Sequence, residues 1–109
     1  MAHDDMHVVM YKILAYLYKC LKAGEQSNKD MYSWEMLEIN KPYWNEIMSE
    51  LSHRRLIKGV TVTRSPRGDT VTIDNLRITM EGVEFLMENS MMQKALSFLQ
   101  NTKSAIPFV

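Results

Sequence analysis

At Gly59 the hydrophobic period of the chain changes, and that change limits the folds open to it. Upstream, apolar residues recur at helical spacing. Downstream, Val60 and Val62 alternate with Thr61 and Thr63, and Val71 and Ile73 alternate with Thr70 and Thr72. Strict alternation of β-branched residues marks strands buried on one face. Between the two runs, Pro66 suits the second position of a type I turn, and Gly68 supplies the positive φ that closes such a loop. The stretch TVTRSPRGDTVTID therefore predicts a hairpin with Arg64 and Arg67 at its tip.

The helical part is equally patterned. Met6, Val9, Met10, Ile13, Leu14, Leu17 and Leu21 follow the spacing of an amphipathic helix, expected from about residue 5 to 23. Asp4 and Asp5 sit where acids favour a helix N-terminus, and Gly24 marks the end. After a polar loop, MYSWEMLEI (31–39) predicts a helix of barely two turns, capped by Ser33, with Trp34 and Leu37 packed inward. Asn40 is the natural cap of the next helix, about 41–54, with Pro42 in its first turn. Its apolar stripe is Trp44, Ile47, Met48 and Leu51. Beyond the hairpin, Thr79 can cap a helix holding Val83, Leu86 and Met87. Asn89 and Ser90 interrupt it, and Met91, Met92, Ala95, Leu96 and Leu99 define a last helix.

The order helix, short helix, helix, hairpin, helices is that of a winged helix-turn-helix domain, an α+β fold that is mainly α. A length of 109 residues predicts a single domain spanning 1–109, with its core in about 5–100 and a tail over 101–109. The segments LIKGVTV (56–62) and RITMEGVEFLMENSMMQKA (77–95) resemble the YjcQ family of small bacterial and phage winged-helix proteins. The most specific part is C-terminal, where Thr79, Gly82, Leu86, Glu88, Asn89, Ser90 and Met92 stand at the family's spacing. The resemblance runs from roughly residue 8 to 96, and the stretch between Gly24 and Lys41 departs from it. It implies the fold and a phage or prophage setting. It implies no particular activity, and no functional site is carried over from it.

Net charge is zero, against a strongly basic nucleic-acid protein, but the charges are segregated. Residues 1–40 hold four lysines against six acids, residues 41–77 seven cations against four acids, and residues 78–109 two against three. All five arginines, Arg54, Arg55, Arg64, Arg67 and Arg77, fall in the middle segment. Arginine's planar fork matches phosphate better than lysine's point charge does. The helix over 41–54 would offer Lys41, Tyr43, Asn45, Ser49, Ser52 and His53 to a groove, and Asn45 can pair with adenine. Glu46 and Glu50 project from the same helix and repel phosphate. Arg54, Arg55 and Lys58 follow its end, where cations also complement the helix dipole. Arg64 and Arg67 on a wing can enter a narrow minor groove, with Arg77 extending the patch.

These features give two readings. The first is a non-enzymatic regulator that binds double-stranded DNA weakly, or as a dimer, through Lys41, Asn45, Arg54, Arg55, Lys58, Arg64, Arg67 and Arg77. The second is a protein-interaction or dimerisation module without DNA binding. Ten methionines are many for this length, and Met91, Met92, Leu96 and Leu99 would form an adaptable contact face for a second copy or a protein partner.

Other signals are weak. His3 and His7 are four apart but lack a third ligand, so no metal is expected. Arg67-Gly68-Asp69 is explained as a turn. Cys20, the lone cysteine, excludes an internal disulfide and reads as a buried thiol. No catalytic arrangement, cofactor motif, cleavable leader or membrane span is recognisable, so a cytoplasmic, cofactor-free binding protein is the expectation.

Overall fold

The computed structural model of the chain describes residues 5–88. Among these the fold is α+β and mainly helical: α1 (Met6–Ala23), a 3₁₀ turn (Lys29–Tyr32), α2 (Lys41–His53), β1 (Ile57–Thr63), β2 (Thr70–Ile78) and α3 (Met80–Glu88). The last helix expected from the sequence, with Met91, Met92, Leu96 and Leu99, lies outside the described residues.

Helix α1 carries the core. Its periodicity predicts burial on one side, yet every residue from Val8 to Leu17 is buried, so its middle is covered all round. Lys12 is among them, 1% exposed. The helix contacts β2, α3 and α2. Tyr11 stacks on Phe85 of α3 with centroids 5.2 Å apart, and Tyr16 meets Tyr32 at 6.4 Å. Gly24 ends α1 in the left-handed conformation, and Glu25 N–H reaches back to Cys20 O at 2.9 Å. Cys20 is a buried free thiol.

The short helix predicted over 31–39 is not a helix. The chain makes the 3₁₀ turn Lys29–Tyr32, then one closed turn. Asn28 Oδ1 accepts from Asp30 N–H at 3.0 Å, and Ser33 Oγ accepts from Met36 N–H at 3.2 Å. Glu38, at φ 59°, closes the second turn with Ile39 N–H on Trp34 O at 3.0 Å. Ser33 is thus the cap its sequence position announces. With side-chain acceptors at 28 and 33, the backbone has a local alternative to a continuous helical ladder. Tyr32 and Leu37 are buried and anchor the segment at both ends.

Helix α2 starts as its sequence implies, with Asn40 Oδ1 accepting from Tyr43 N–H at 2.8 Å and Pro42 in the first turn. Trp44, Ile47, Met48 and Leu51 are buried. Trp44 Nε1–H donates to Tyr32 O at 2.8 Å, fixing the 3₁₀ turn against α2. At the other end Arg55 takes φ 60°, and Leu56 N–H bonds Leu51 O at 3.0 Å, which turns the chain into the sheet.

The sheet is one antiparallel hairpin, longer at its base than alternation alone shows. Val60–Val62 pair with Val71–Ile73, and Ile57 and Lys58 pair with Ile78 and Arg77. Between these two sections β1 has one residue, Gly59, and β2 has three, Asp74, Asn75 and Leu76. Asn75 sits at φ 56° and Gly59 at φ 92°. A Cβ at Gly59 would stand 2.6 Å from the carbonyl oxygens of both Asp74 and Asn75, so only glycine admits this bulge. At the tip, Gly68 N–H bonds Ser65 O at 3.0 Å around Pro66 and Arg67. Thr79 then joins hairpin to helix. Its Oγ1 donates to Arg55 O at 2.7 Å and accepts from Gly82 N–H at 3.0 Å, capping α3.

Candidate nucleic-acid interface

The hairpin and α2 lie side by side because α2 must bury Trp44, Ile47, Met48 and Leu51, while the strands have Ile57, Leu76 and Ile78 to cover. This packing brings the N-terminal half of α2 to the hairpin tip. A cleft of about 410 Å³ opens between Pro42, Asn45 and Glu46 on the helix and Arg67, Gly68 and Asp69 on the turn. Asn45, the candidate for base readout, and Arg67, the candidate for a groove or phosphate contact, therefore share one opening. The cleft also holds one carboxylate from each side, Glu46 and Asp69. Glu46 is legible as an outward residue of α2; the approach of Asp69 to it depends on how the hairpin docks.

The remaining candidates are placed differently. Arg64 is exposed on the tip, one residue before the turn. Lys41 holds its Nζ 5.1 Å from the centre of the Trp34 ring, so a half-buried indole face attracts its ammonium. Arg54 pairs through Nε with Glu50 at 2.6 Å. It also acts electrostatically on Tyr11, whose hydroxyl is raised by burial and partly brought back by this guanidinium. Lys58 and Arg77 are exposed partners directly across the ladder, two like charges opposite one another. Arg77 Nε–H also donates to Asn75 O at 3.3 Å. Arg55 is exposed in the left-handed turn that follows α2.

The eight residues thus form two groups rather than one patch. Lys41, Asn45, Arg64 and Arg67 lie toward the start of α2 and the hairpin tip. Arg54, Arg55, Lys58 and Arg77 lie at its end and the hairpin base. A helix of 13 residues separates them by roughly 20 Å. Ser49, expected to face outward, has its hydroxyl buried without a hydrogen bond, and Tyr43 is half-buried. Trp34, which lies under the Lys41 ammonium and meets Trp44 edge-on at 5.3 Å, reads in the sequence only as a core residue. In the structure it is half-buried against the core.

Among the described residues, no group of three His, Cys, Asp or Glu side chains could hold a metal ion. No described helix is long and apolar enough to cross a membrane. Tyr11, Tyr16 and Tyr32 are perturbed titrating groups. Burial raises Tyr16 to about 12, with the bond from Asn28 N–H offsetting part of the shift, and burial likewise raises Tyr32. Both stay neutral at physiological pH and contribute no charge to the interface.

No curated protein and no solved structure matches the chain. The family model described as YjcQ protein matches residues 11–105, nearly the whole chain, and includes the segments over 56–62 and 77–95. The chain therefore belongs to the YjcQ family.

Proposed function

We propose that this protein is a non-enzymatic DNA-binding regulator of the winged-helix kind, working in a phage or prophage setting, with α2 as the recognition helix and the β1–β2 hairpin as the wing. The observation that carries this reading is the cleft that Asn45 of α2 shares with Arg67 at the hairpin tip. A helix in the major groove and a wing beside it require that adjacency. On this reading the turn segment 29–38 takes the place of the first helix of the helix-turn-helix unit. Few cations face the cleft, and Glu46 and Asp69 oppose phosphate, so one copy binds duplex DNA near the non-specific range of roughly 10⁻⁴ to 10⁻⁶ M. Tighter binding then needs a second half-site contributed by a dimer.

The test is the salt dependence of binding to a short duplex. Each phosphate contact contributes about 0.9 to the slope of log K against log salt, so replacing Arg64 and Arg67 with Ala should flatten the slope by about 1.8. An unchanged slope refutes the role of the wing.

One observation favours the protein-interaction reading. Met80 and Met87 of α3 are 70% and 50% exposed and lie seven residues apart, on one side of the helix. In the sequence α3 leads on to Met91 and Met92. Under this reading a second copy or a protein partner covers the face. Light scattering at tens of micromolar should then show a dimer, and Met80→Gln with Met87→Gln should return it to monomer. A wild-type monomer removes the dimer version.

A further inference from the structure

A second cavity, distinct from the cleft at the hairpin tip, lies on the other flank of the α2 N-terminus. It measures about 290 Å³ and is walled by Trp34, Trp44, Val71 and Ile73. That volume is at the small end of the range for small-molecule sites, which combine apolar walls with a few polar groups. Ser33 and four charged residues complete the lining: Lys29 and Lys41, and Asp30 and Glu35. All four charged residues are exposed, so they stand at the rim. With two cations and two carboxylates around one opening, internal ion pairing would be the ordinary outcome. It does not occur among these four, and Lys41 instead rests against the Trp34 ring.

We infer that this cavity binds a small zwitterion with an aromatic body, of the free amino-acid class. The ring lies against the two indoles and the two β-branched side chains. The ligand's carboxylate meets Lys41 or Lys29, and its ammonium meets Asp30 or Glu35. A simple aromatic acid would leave the two rim carboxylates unmatched, and a simple aromatic amine the two lysines. The walls come from three elements: the 33–38 turn, α2 and β2. Occupancy therefore couples hairpin position to α2. The inference does not rest on the DNA-binding reading, since the cavity can be tested with no nucleic acid present.

The chain has two tryptophans, and both line this cavity, so intrinsic fluorescence reports on it directly. The probe is L-phenylalanine, which leaves the tryptophan signal unobscured, titrated against phenylacetate and phenethylamine as the same ring with one charge each. A saturable change with L-phenylalanine is expected, with a Kd on the order of 1 mM or tighter. Each single-charge analogue should bind at least about fivefold more weakly, one rim contact being lost. The paired variants Lys29→Gln with Lys41→Gln, and Asp30→Asn with Glu35→Gln, all at exposed positions, should each weaken L-phenylalanine about threefold without altering the far-ultraviolet circular dichroism. No saturable change by about 10 mM overturns the proposal. Equal responses to all three probes, or rim variants that bind like wild type, overturn the zwitterion assignment.

Discussion

Replacing Gly82 with alanine separates local from tertiary reasoning, because the two demand opposite signs. Gly82 lies within α3, where helix propensity alone makes alanine better by up to about 1 kcal/mol. The tertiary structure forbids it. A Cβ at Gly82 would collide with the carbonyl oxygen of Leu56 and with Ile78 Cγ1, which lies 2.6 Å from the Cβ position. Leu56 O is backbone and already accepts from Thr79 N–H at 3.0 Å, while Ile78 is buried, so neither neighbour gives way cheaply. Shifting α3 away costs about 1–3 kcal/mol as an overpacked contact. Straining the Thr79–Leu56 bond adds about 0.5–1.5 kcal/mol. Set against the propensity gain, the net destabilisation is about 0.5–3.5 kcal/mol. For a domain of this size each kcal/mol shifts Tm by roughly 4–8 °C, so a fall of roughly 2–28 °C is expected. Urea unfolding followed by tryptophan fluorescence gives the free energy, and a thermal scan gives Tm. A Gly82→Ala protein as stable as wild type, or more so, refutes the close approach of α3 to the hairpin base.

Alkaline pH should unfold the protein earlier than an average domain. Tyr16 is raised from 10 to about 12 in the folded state, so the unfolded chain loses this proton first. Its contribution to stability is present below pH 10 and is lost as pH rises toward 12, at up to about 1.4 kcal/mol per pH unit, with Tyr11 and Tyr32 shifted in the same direction. Urea midpoints that stay flat across that interval would contradict the burial of these hydroxyls. At the hairpin base, Lys58→Thr removes one of two like charges that face each other and should stabilise by about 0.2–1 kcal/mol at low salt, with the gain fading as salt is added. A salt-independent effect would mean that packing, not charge, dominates there.

What could be read from the sequence is what short-range physics controls. Asn40 caps α2 and Thr79 caps α3 because each needs only an oxygen three residues from an amide. The turn around Pro66 and Gly68 and the alternation of Val60, Val62, Val71 and Ile73 are likewise local, as is the clustering of every arginine between residues 54 and 77. The family resemblance added the framework around Thr79 and Gly82, and the chain does belong to that family.

Tertiary structure decided the rest. The 29–38 segment carries enough apolar residues for a helix, but the buried Tyr32 and Leu37, the Trp44 bond to Tyr32 O and two side-chain caps make it a pair of turns. Helix α1 shows one apolar stripe in sequence, yet its middle, residues 8–17, is enclosed on all sides, Lys12 included, because burial depends on which other elements pack against it. Gly59 announces a break in pattern but not the three-residue bulge opposite it, which exists only once β2 has paired. The basic residues look continuous along the chain, but α2 places them in two groups roughly 20 Å apart. Trp34 and Trp44 read as core residues, and only the docking of β2 beside them leaves a cavity there. Caps, turns and periods are set within four residues; these other features are set by which distant surfaces must exclude water together.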